Sequence, residues 1–198
     1  MALVPAHITA GFRLGRIHCR QLAALLDSNA DRISLLQVDP VALKNSGIAA
    51  IAIDFDGVLA PHGFATPLPE STTWLSQCAA VFGEERLFVL SNKPTEARNR
   101  WFQAHFPSLR FISNVRKKPF PDGLQRIADL SGVPVSTVAV LDDRLLTGCL
   151  AAINAGARPC HISRPYISLS DQTCAELFFW GLRLFERLFI RICCIINA

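Results

Sequence analysis

The hydrophobic positions of the chain fall into short continuous runs separated by longer stretches of mixed polarity. Residues 48–53, 87–90 and 138–141 are apolar runs of strand length, each followed by polar or acidic residues. Runs this short that end in turn-forming residues are typical of strands buried inside a sheet. Residues 111–112 and 160–162 are predicted to be shorter strands on the same basis.

Helical periodicity fills the stretches between these runs. Asp39 is placed to cap a helix over residues 40–47, with Pro40 at its first position, a frequent arrangement at helix N-termini. Residues 1–15 contain Pro5 and two glycines and are predicted to be irregular. The other helices are predicted at residues 16–26, 70–82, 95–106, 122–131 and 147–155.

Strands that alternate with helices in this way predict a parallel sheet. The expected fold class is therefore α/β, a three-layer Rossmann-like parallel sheet with helices on both faces and an additional C-terminal amphipathic helix. We divide the chain into an N-terminal helical lead-in (1–47), an α/β core (48–170) and a C-terminal apolar and basic helix (171–198).

Residues 175–196 are much more apolar than the rest of the chain, yet Arg183, Arg187 and Arg191 recur at every fourth position. Residues four apart lie on one face of a helix. Together with Glu186, these charges argue against a bilayer span, which needs about 20 residues with few charges. A basic stripe on an apolar helix favours an interfacial position on anionic lipid. The alternative is packing against the sheet or against a second copy of the chain.

Composition narrows the classes of function. The 198 residues are enough for one domain with its own core, and the net charge of +4 is too small to predict nucleic-acid binding. Seven cysteines form no Cys-x-x-Cys pair, which indicates reduced thiols, and no secretory signal is recognisable at the N-terminus. A cytoplasmic protein is expected, with peripheral association at the inner face of the membrane if the C-terminal helix binds lipid. The oligomeric state stays open.

Polar side chains follow the three longest predicted strands. They are Asp54 and Asp56 after the first strand, Ser91 and Asn92 after the second, and Asp142 and Asp143 after the third. Because α/β proteins bind ligands at the carboxyl ends of parallel strands, these residues are expected to form one site. Buried carboxylates are costly without compensation, and a divalent cation is a common compensation. For the first acidic turn taken alone, an ordinary strand-to-loop turn is the alternative.

Four motifs occur in order along the chain, Asp54-Phe55-Asp56-Gly57-Val58-Leu59, Ser91-Asn92, Lys118-Pro119 and Asp142-Asp143. This ordered set resembles the haloacid dehalogenase superfamily of phosphohydrolases. No large insertion separates the motifs, so the resemblance implies a capless form of that fold with an open site. An open site favours a phosphate carried on a bulky or surface-bound substrate.

The resemblance implies a role for each motif residue. Asp54 is the expected nucleophile, which forms an aspartyl-phosphate and so divides hydrolysis into two steps. Asp56 is the expected acid, which protonates the leaving alkoxide and then activates water. Ser91, Asn92 and Lys118 are the expected phosphate-binding residues.

Magnesium is the cofactor that the resemblance implies. Its expected ligands are Asp54, the backbone carbonyl of Asp56 and an acid of the fourth motif, Asp143 or Asp142. Bound there, the cation would neutralise charge on the phosphate and on the nucleophile.

Residues 30–190 are similar to the YqeG-like branch of the superfamily, which includes phosphatidylglycerophosphate phosphatases. The chain departs from that branch at Gly57-Val58, where the branch has Asn-Thr. It departs again at Asp142-Asp143-Arg144, where the branch has Gly-Asp-Gln and a further acid downstream. The expected function is magnesium-dependent phosphomonoester hydrolysis, on phosphatidylglycerophosphate at a membrane surface. The alternatives are a soluble phosphatase for another substrate and a binding protein with a degenerate site.

Overall fold

The computed structural model describes residues 5–28, 33–92 and 95–197. Its strands are β1 (Ala50–Ile53), β2 (Leu87–Val89), β3 (Arg110–Phe111), β4 (Val138–Asp142) and β5 (Arg158–His161). Its α-helices are α1 (Ala6–Ile17), α2 (Cys19–Ser28), α3 (Pro40–Asn45), α4 (Pro69–Phe82), α5 (Glu96–His105), α6 (Asp122–Ser131), α7 (Leu150–Ala155) and α8 (Leu169–Ile196). A π-helical turn, Leu145–Cys149, joins β4 to α7.

The strands form one parallel sheet in the order β3-β2-β1-β4-β5. Ile53 pairs with Val89 on one side and with Leu141 on the other, so the three central strands end at the same edge. The predicted α/β class and parallel sheet are confirmed. The polar residues that follow these strands are thereby brought to one edge of the molecule.

Alternating side chains of β1 pack on opposite faces of the sheet. Ile51 and Ile53 belong to a core cluster that includes side chains of α4 and α5. Ala50 and Ala52 belong to a second cluster, which includes side chains of α6 and α7. The helices therefore cover both faces, as predicted for a three-layer fold.

The N-terminal helices α1 and α2 pack with α8. Leu22 of α2 and Ile190 of α8 share a buried cluster with the turn that follows β4. The prediction of an irregular stretch at residues 1–15 is wrong over residues 6–15, which belong to the helix Ala6–Ile17, while residues 1–4 lie outside the described ranges. Gly15 suits this helix because a Cβ there would lie 2.5 Å from Cδ2 of Leu146. The glycine permits close packing and does not break the helix.

The predicted C-terminal helix is confirmed as Leu169–Ile196, with a kink at Gln172, where φ is −138° and ψ is 45°. Its buried face carries charged residues, whereas its exposed face is apolar. The buried residues are Glu176, Arg183, Glu186, Ile190 and Cys193. The exposed apolar residues are Leu177, Phe178, Trp180, Leu184, Phe185, Leu188, Ile192, Ile195 and Ile196.

The arginine stripe of α8 contacts protein. Arg183 binds Asp143, Arg187 donates to the carbonyl of Ser163, and Arg191 donates to Asp27. All three arginines of the stripe therefore have protein partners, although the side chain of Arg191 is still 53% exposed. Over the described ranges, no helix is both long enough and apolar enough to cross a membrane.

Candidate functional site

The centre of the site is a cluster of three carboxylates at the ends of β1 and β4. Asp54 follows β1, and its backbone N–H donates to the carbonyl of Leu141 at 2.9 Å. This pairing places Asp54 beside Asp142 and Asp143. One carboxylate oxygen from each of the three acids lies within 4.8 Å of the other two.

A cavity of about 700 Å³ opens at this edge of the sheet. Six of the seven predicted site residues line it, namely Asp54, Asp56, Ser91, Asn92, Lys118 and Asp143. Side chains from α1, α5 and α8 complete its wall, among them Ile8, Arg98 and Phe179. The structure therefore brings together residues that the sequence separates by almost 90 positions.

Lys118 links two acids of the cluster. Its Nζ lies 3.0 Å from Oδ1 of Asp54 and 2.5 Å from Oδ2 of Asp142, and its side chain is 4% exposed. Burial lowers the pKa of this amine, but the two carboxylates outweigh that effect and raise the pKa above its usual value. Lys118 is therefore a fixed positive charge beside Asp54.

Ser91 and Asn92, the other two predicted phosphate-binding residues, lie next to Lys118 at the cavity. Asn92 accepts a hydrogen bond from the backbone N–H of Lys118 at 3.1 Å. Ser91 is 8% exposed and lines the same cavity. The Asn92 side chain thus ties the loop after β2 to the segment that carries the lysine.

Asp142 and Asp143 differ in the use of their oxygens. Asp142 is fully buried, with Oδ2 bound to Lys118 and Oδ1 accepting from the N–H of Arg144 at 2.9 Å. Asp143 binds Arg183 through Oδ2, while its buried Oδ1 has no hydrogen-bond partner among the described residues. Asp143 therefore has an oxygen with no hydrogen-bond partner among the described residues, whereas both oxygens of Asp142 accept hydrogen bonds.

The first motif requires a glycine at position 57, for two reasons. The φ of Gly57, +83°, lies in the left-handed region, which favours glycine. A Cβ at this position would also lie 2.7 Å from Oδ2 of Asp143 and 3.0 Å from Nη2 of Arg183. The acidic turn can therefore pack against this ion pair only with glycine here.

Asp56 lines the cavity but is held by Arg98 of α5. Nη2 of Arg98 lies 2.6 Å from Oδ1 of Asp56, and Nη1 lies 3.0 Å from Oδ2. Nε of Arg98 also donates to the carbonyl of Phe64, which fixes the guanidinium in place. Both oxygens of the predicted general acid are thus paired with one arginine.

The electrostatics of the cluster favour an added cation. Burial, together with the neighbouring acids Asp142, Asp143 and Asp56, raises the pKa of Asp54 to about 8 although Lys118 opposes the shift. Burial and Asp142 raise the pKa of Asp143 to about 6 against the opposing effect of Arg183. Burial and the neighbouring carboxylates therefore outweigh the cations of the protein, and an added cation would favour the ionised acids.

These residues fit a divalent oxygen-binding cation such as Mg²⁺. The donors are carboxylate oxygens, the type that magnesium prefers. The unpartnered Oδ1 of Asp143 and the cavity-facing Asp54 are the two side chains best placed to hold it. Sequence reasoning left the choice between Asp143 and Asp142 open, and the free oxygen favours Asp143.

Four further residues of the site were not predicted from the sequence. Arg98 is one of them, and the other three come from α8. Arg183 binds Asp143, and Glu186 accepts from Arg144 and from the N–H of Leu145. Glu176 is fully buried and accepts from the N–H of His62 at 2.9 Å, and its Oε2 lies 3.3 Å from Nδ1 of His62. The signal for the α8 contacts was present, because positions 176, 183 and 186 share one helical face.

No protein-family model matches the chain, and no curated protein matches it. Among solved structures, an uncharacterized protein from Corynebacterium glutamicum ATCC 13032 Kitasato is similar, with 23% sequence identity and a TM-score of 0.45. The match covers 69% of this chain and 96% of that protein.

Proposed function

We propose that this protein is a magnesium-dependent phosphomonoester hydrolase of the haloacid dehalogenase type, with Asp54 as its nucleophile. The observation that carries the proposal is the arrangement around Asp54. Its carboxylate lines the cavity, 3.0 Å from the amine of Lys118, and Asp143, which has an unpartnered oxygen among the described residues, belongs to the same cluster. A nucleophilic carboxylate, a fixed cation and a free acidic ligand are what transfer of a phosphoryl group requires.

In the proposed reaction, a carboxylate oxygen of Asp54 attacks the phosphorus atom, and the bond from phosphorus to the ester oxygen breaks. Asp56 gives a proton to the departing alkoxide. Asp56 then takes a proton from water, which attacks the phosphorus of the aspartyl-phosphate and releases phosphate and Asp54. Since Arg98 binds both oxygens of Asp56, one of these hydrogen bonds must open for each proton transfer.

The remaining residues act by charge and by position. Lys118 offsets negative charge on Asp54 and on the transferred group. Ser91 lines the cavity as a hydroxyl donor for a phosphoryl oxygen. Bound Mg²⁺, held by Asp54 and Asp143, would supply further neutralisation of the phosphoryl oxygens.

Phosphate release from an aryl phosphate, with and without Mg²⁺, tests the proposal. We expect release that needs Mg²⁺ and that falls by at least about a thousandfold in Asp54→Asn, which removes the nucleophile. Asp129→Asn on the exposed side of α6 is the matched control and should keep full activity. Activity that persists unchanged in Asp54→Asn contradicts the assignment. Binding of Mg²⁺ and phosphate without turnover would instead support the degenerate binding protein.

The proposed substrate is a phosphomonoester carried on a lipid, and a bilayer is the proposed partner. Phe12 of α1 packs edge-on against Phe185 and Phe189 of α8, so the exposed apolar residues of the two helices form one surface. Ile8 is 41% exposed and also lines the cavity, which therefore borders this surface. Arg16 is four residues from Phe12 and so shares its face of α1, where it can meet an anionic headgroup.

Co-sedimentation with vesicles containing anionic lipid tests this part of the proposal. The double variant Leu188→Glu/Ile192→Glu changes two side chains on the apolar surface, 54% and 55% exposed, and should lose most of the binding. The control, Leu36→Glu/Val41→Glu, changes side chains that are 53% and 52% exposed elsewhere and should bind normally. Equal binding of the two variants contradicts a bilayer at this surface. A dimer of the wild type that dissociates only in the first variant identifies a second copy as the occupant.

A further inference from the structure

Arg183 lies in the middle of α8 and reaches the cluster of acids from outside the α/β core. Its Nε donates to Oδ2 of Asp143 at 2.5 Å, and the residue is 6% exposed. Its Nη1 and Nη2 are buried and have no hydrogen-bond partner among the described residues. A buried guanidinium with unused donors is costly, so its presence here calls for a reason beyond packing.

The reason lies in the charges around Asp54. Lys118 contacts Asp54 and Asp142, and Arg183 contacts the third acid, Asp143. The neighbouring Asp56 is paired with Arg98. Each acid thus has a cation within 3.0 Å, and Arg183 is the contribution of α8.

The contact also determines which oxygen of Asp143 is free. Because Arg183 occupies Oδ2, the carboxylate is held with Oδ1 unpartnered. Gly57 lies against both groups, since a Cβ there would be 2.7 Å from Oδ2 of Asp143 and 3.0 Å from Nη2 of Arg183. Asp143 therefore has little freedom to turn.

We propose that Arg183 is a positioning residue of the site, which orients Asp143 and lowers the negative charge of the cluster enough for a phosphoryl dianion to enter. The inference rests on the proposed function, because it takes the cluster as the place where a divalent cation and a phosphate meet. A positive charge beside the acids repels the cation and attracts the anion. Arg183 thus weakens cation binding and strengthens phosphate binding.

The proposed role predicts that the binding constants for the cation and for phosphate change in opposite directions when Arg183 is replaced. Removing the charge of Arg183 should tighten the cation and weaken the phosphate, each by about tenfold or more, because a unit charge at this depth is poorly screened. Loss of a purely structural contact would weaken both ligands together.

The experiment compares wild type, Arg183→Gln and Arg183→Lys as full-length proteins. Mn²⁺ binding is followed by electron paramagnetic resonance, and binding of inorganic phosphate in saturating Mg²⁺ by calorimetry. Gln keeps a donor for Asp143 but has no charge, so it should bind Mn²⁺ more tightly and phosphate more weakly. Lys keeps the unit charge and should bring both constants back to within about threefold of the wild type. Arg191→Gln, at an exposed pair on the same helix, should change neither.

Arg183→Gln that weakens both ligands, or leaves both unchanged, overturns the role of Arg183. The role of Arg183 is also overturned if Arg183→Lys fails to restore the binding constants for Mn²⁺ and phosphate. Failure of the wild type to bind Mn²⁺ or phosphate contradicts the proposed function itself and this inference with it. Should Arg183→Gln not fold, as judged by circular dichroism, Arg183→Met takes its place: opposite changes in the two constants are again expected, and weakening of both ligands overturns the role.

Discussion

The amine of Lys118 lies 2.5 Å from Oδ2 of Asp142, and both side chains are almost completely buried. Asp142 is thus committed to the lysine, which leaves Asp143 as the acid of the pair with a free oxygen. The paired acids at the end of β4 therefore have separate tasks. Asp142 holds the Lys118 amine beside Asp54, and Asp143 lines the cavity.

Asp142→Asn removes a buried partner of Lys118 and should lower the free energy of unfolding by about 3 kcal/mol, because it leaves a charge poorly compensated in the interior. Urea unfolding monitored by circular dichroism measures this change. The comparison is Asp27→Asn, whose ion pair with Arg191 is about half exposed on both sides. That variant should lose less than about 1 kcal/mol. Equal losses would contradict the anchoring role of Asp142.

Gly148 lies against the same carboxylate, and a Cβ there would be 1.8 Å from Oδ2 of Asp142. Gly148→Ala should therefore destabilise the protein by about 2 kcal/mol or more and displace Asp142. Gly181 in α8 has no atom within 4 Å of the equivalent position. Gly181→Ala should stabilise the protein by up to about 1 kcal/mol through its helix propensity. Thermal unfolding of both variants checks whether the two changes have opposite signs.

Asp56→Asn should affect substrates unequally. An alkyl phosphate needs protonation of its leaving oxygen, so its hydrolysis should slow by about a hundredfold or more. An aryl phosphate with an acidic leaving group depends less on that proton. With the aryl substrate, the variant should still form the aspartyl-phosphate but hydrolyse it slowly, which gives a burst of phenol in stopped-flow measurements. Equal losses for both substrates and no burst would contradict the role of Asp56 as acid and base.

The pKa values near 8 for Asp54 and near 6 for Asp143 lie above the values of these acids in the unfolded chain. The folded protein without metal therefore binds more protons than the unfolded chain between about pH 4 and pH 8. The contribution of these two acids to stability accordingly falls as the pH rises through this window.

Bound Mg²⁺ favours the ionised acids, so its stabilising effect should grow with pH. The rise in melting temperature caused by Mg²⁺ should be larger at about pH 8 than at about pH 5, because the cation displaces protons. Differential scanning fluorimetry at both pH values measures it. Asp54→Asn should lose most of the pH dependence. A larger rise at the lower pH would contradict the placement of the cation.

Much of the sheet could be predicted from the sequence because its central strands are short apolar runs. The helix Asp122–Ser131 agrees with its predicted bounds, and the Asp39-Pro40 start is found, with Asp39 accepting from Val41. Thr95, predicted as the first helical residue, instead caps the helix and accepts from the N–H of Arg98. These features are local, so periodicity and capping chemistry indicate them.

The contacts of the arginines could not be predicted in the same way. Arg98 and Asp56 are 42 positions apart, and Arg183 and Asp143 are 40 apart, so tertiary structure alone brings them together. The spacing of Arg183, Arg187 and Arg191 was an accurate signal for a shared face of a helix. The high apolar content nearby suggested that this face was the exposed one. Arg183, however, is buried beside Asp143 at the edge of the sheet, a contact that the helical pattern does not indicate.

Identification of the residue that carries phosphorus during turnover tests Asp54 as the nucleophile most directly. The protein is mixed with an aryl phosphate and Mg²⁺, quenched in acid within the first turnovers, digested and examined by mass spectrometry. We expect one phosphoryl group on the peptide that contains Asp54, absent without Mg²⁺ and absent in Asp54→Asn. Turnover with no phosphorylated peptide, or with phosphorus on another residue, would contradict the assignment of Asp54 as nucleophile.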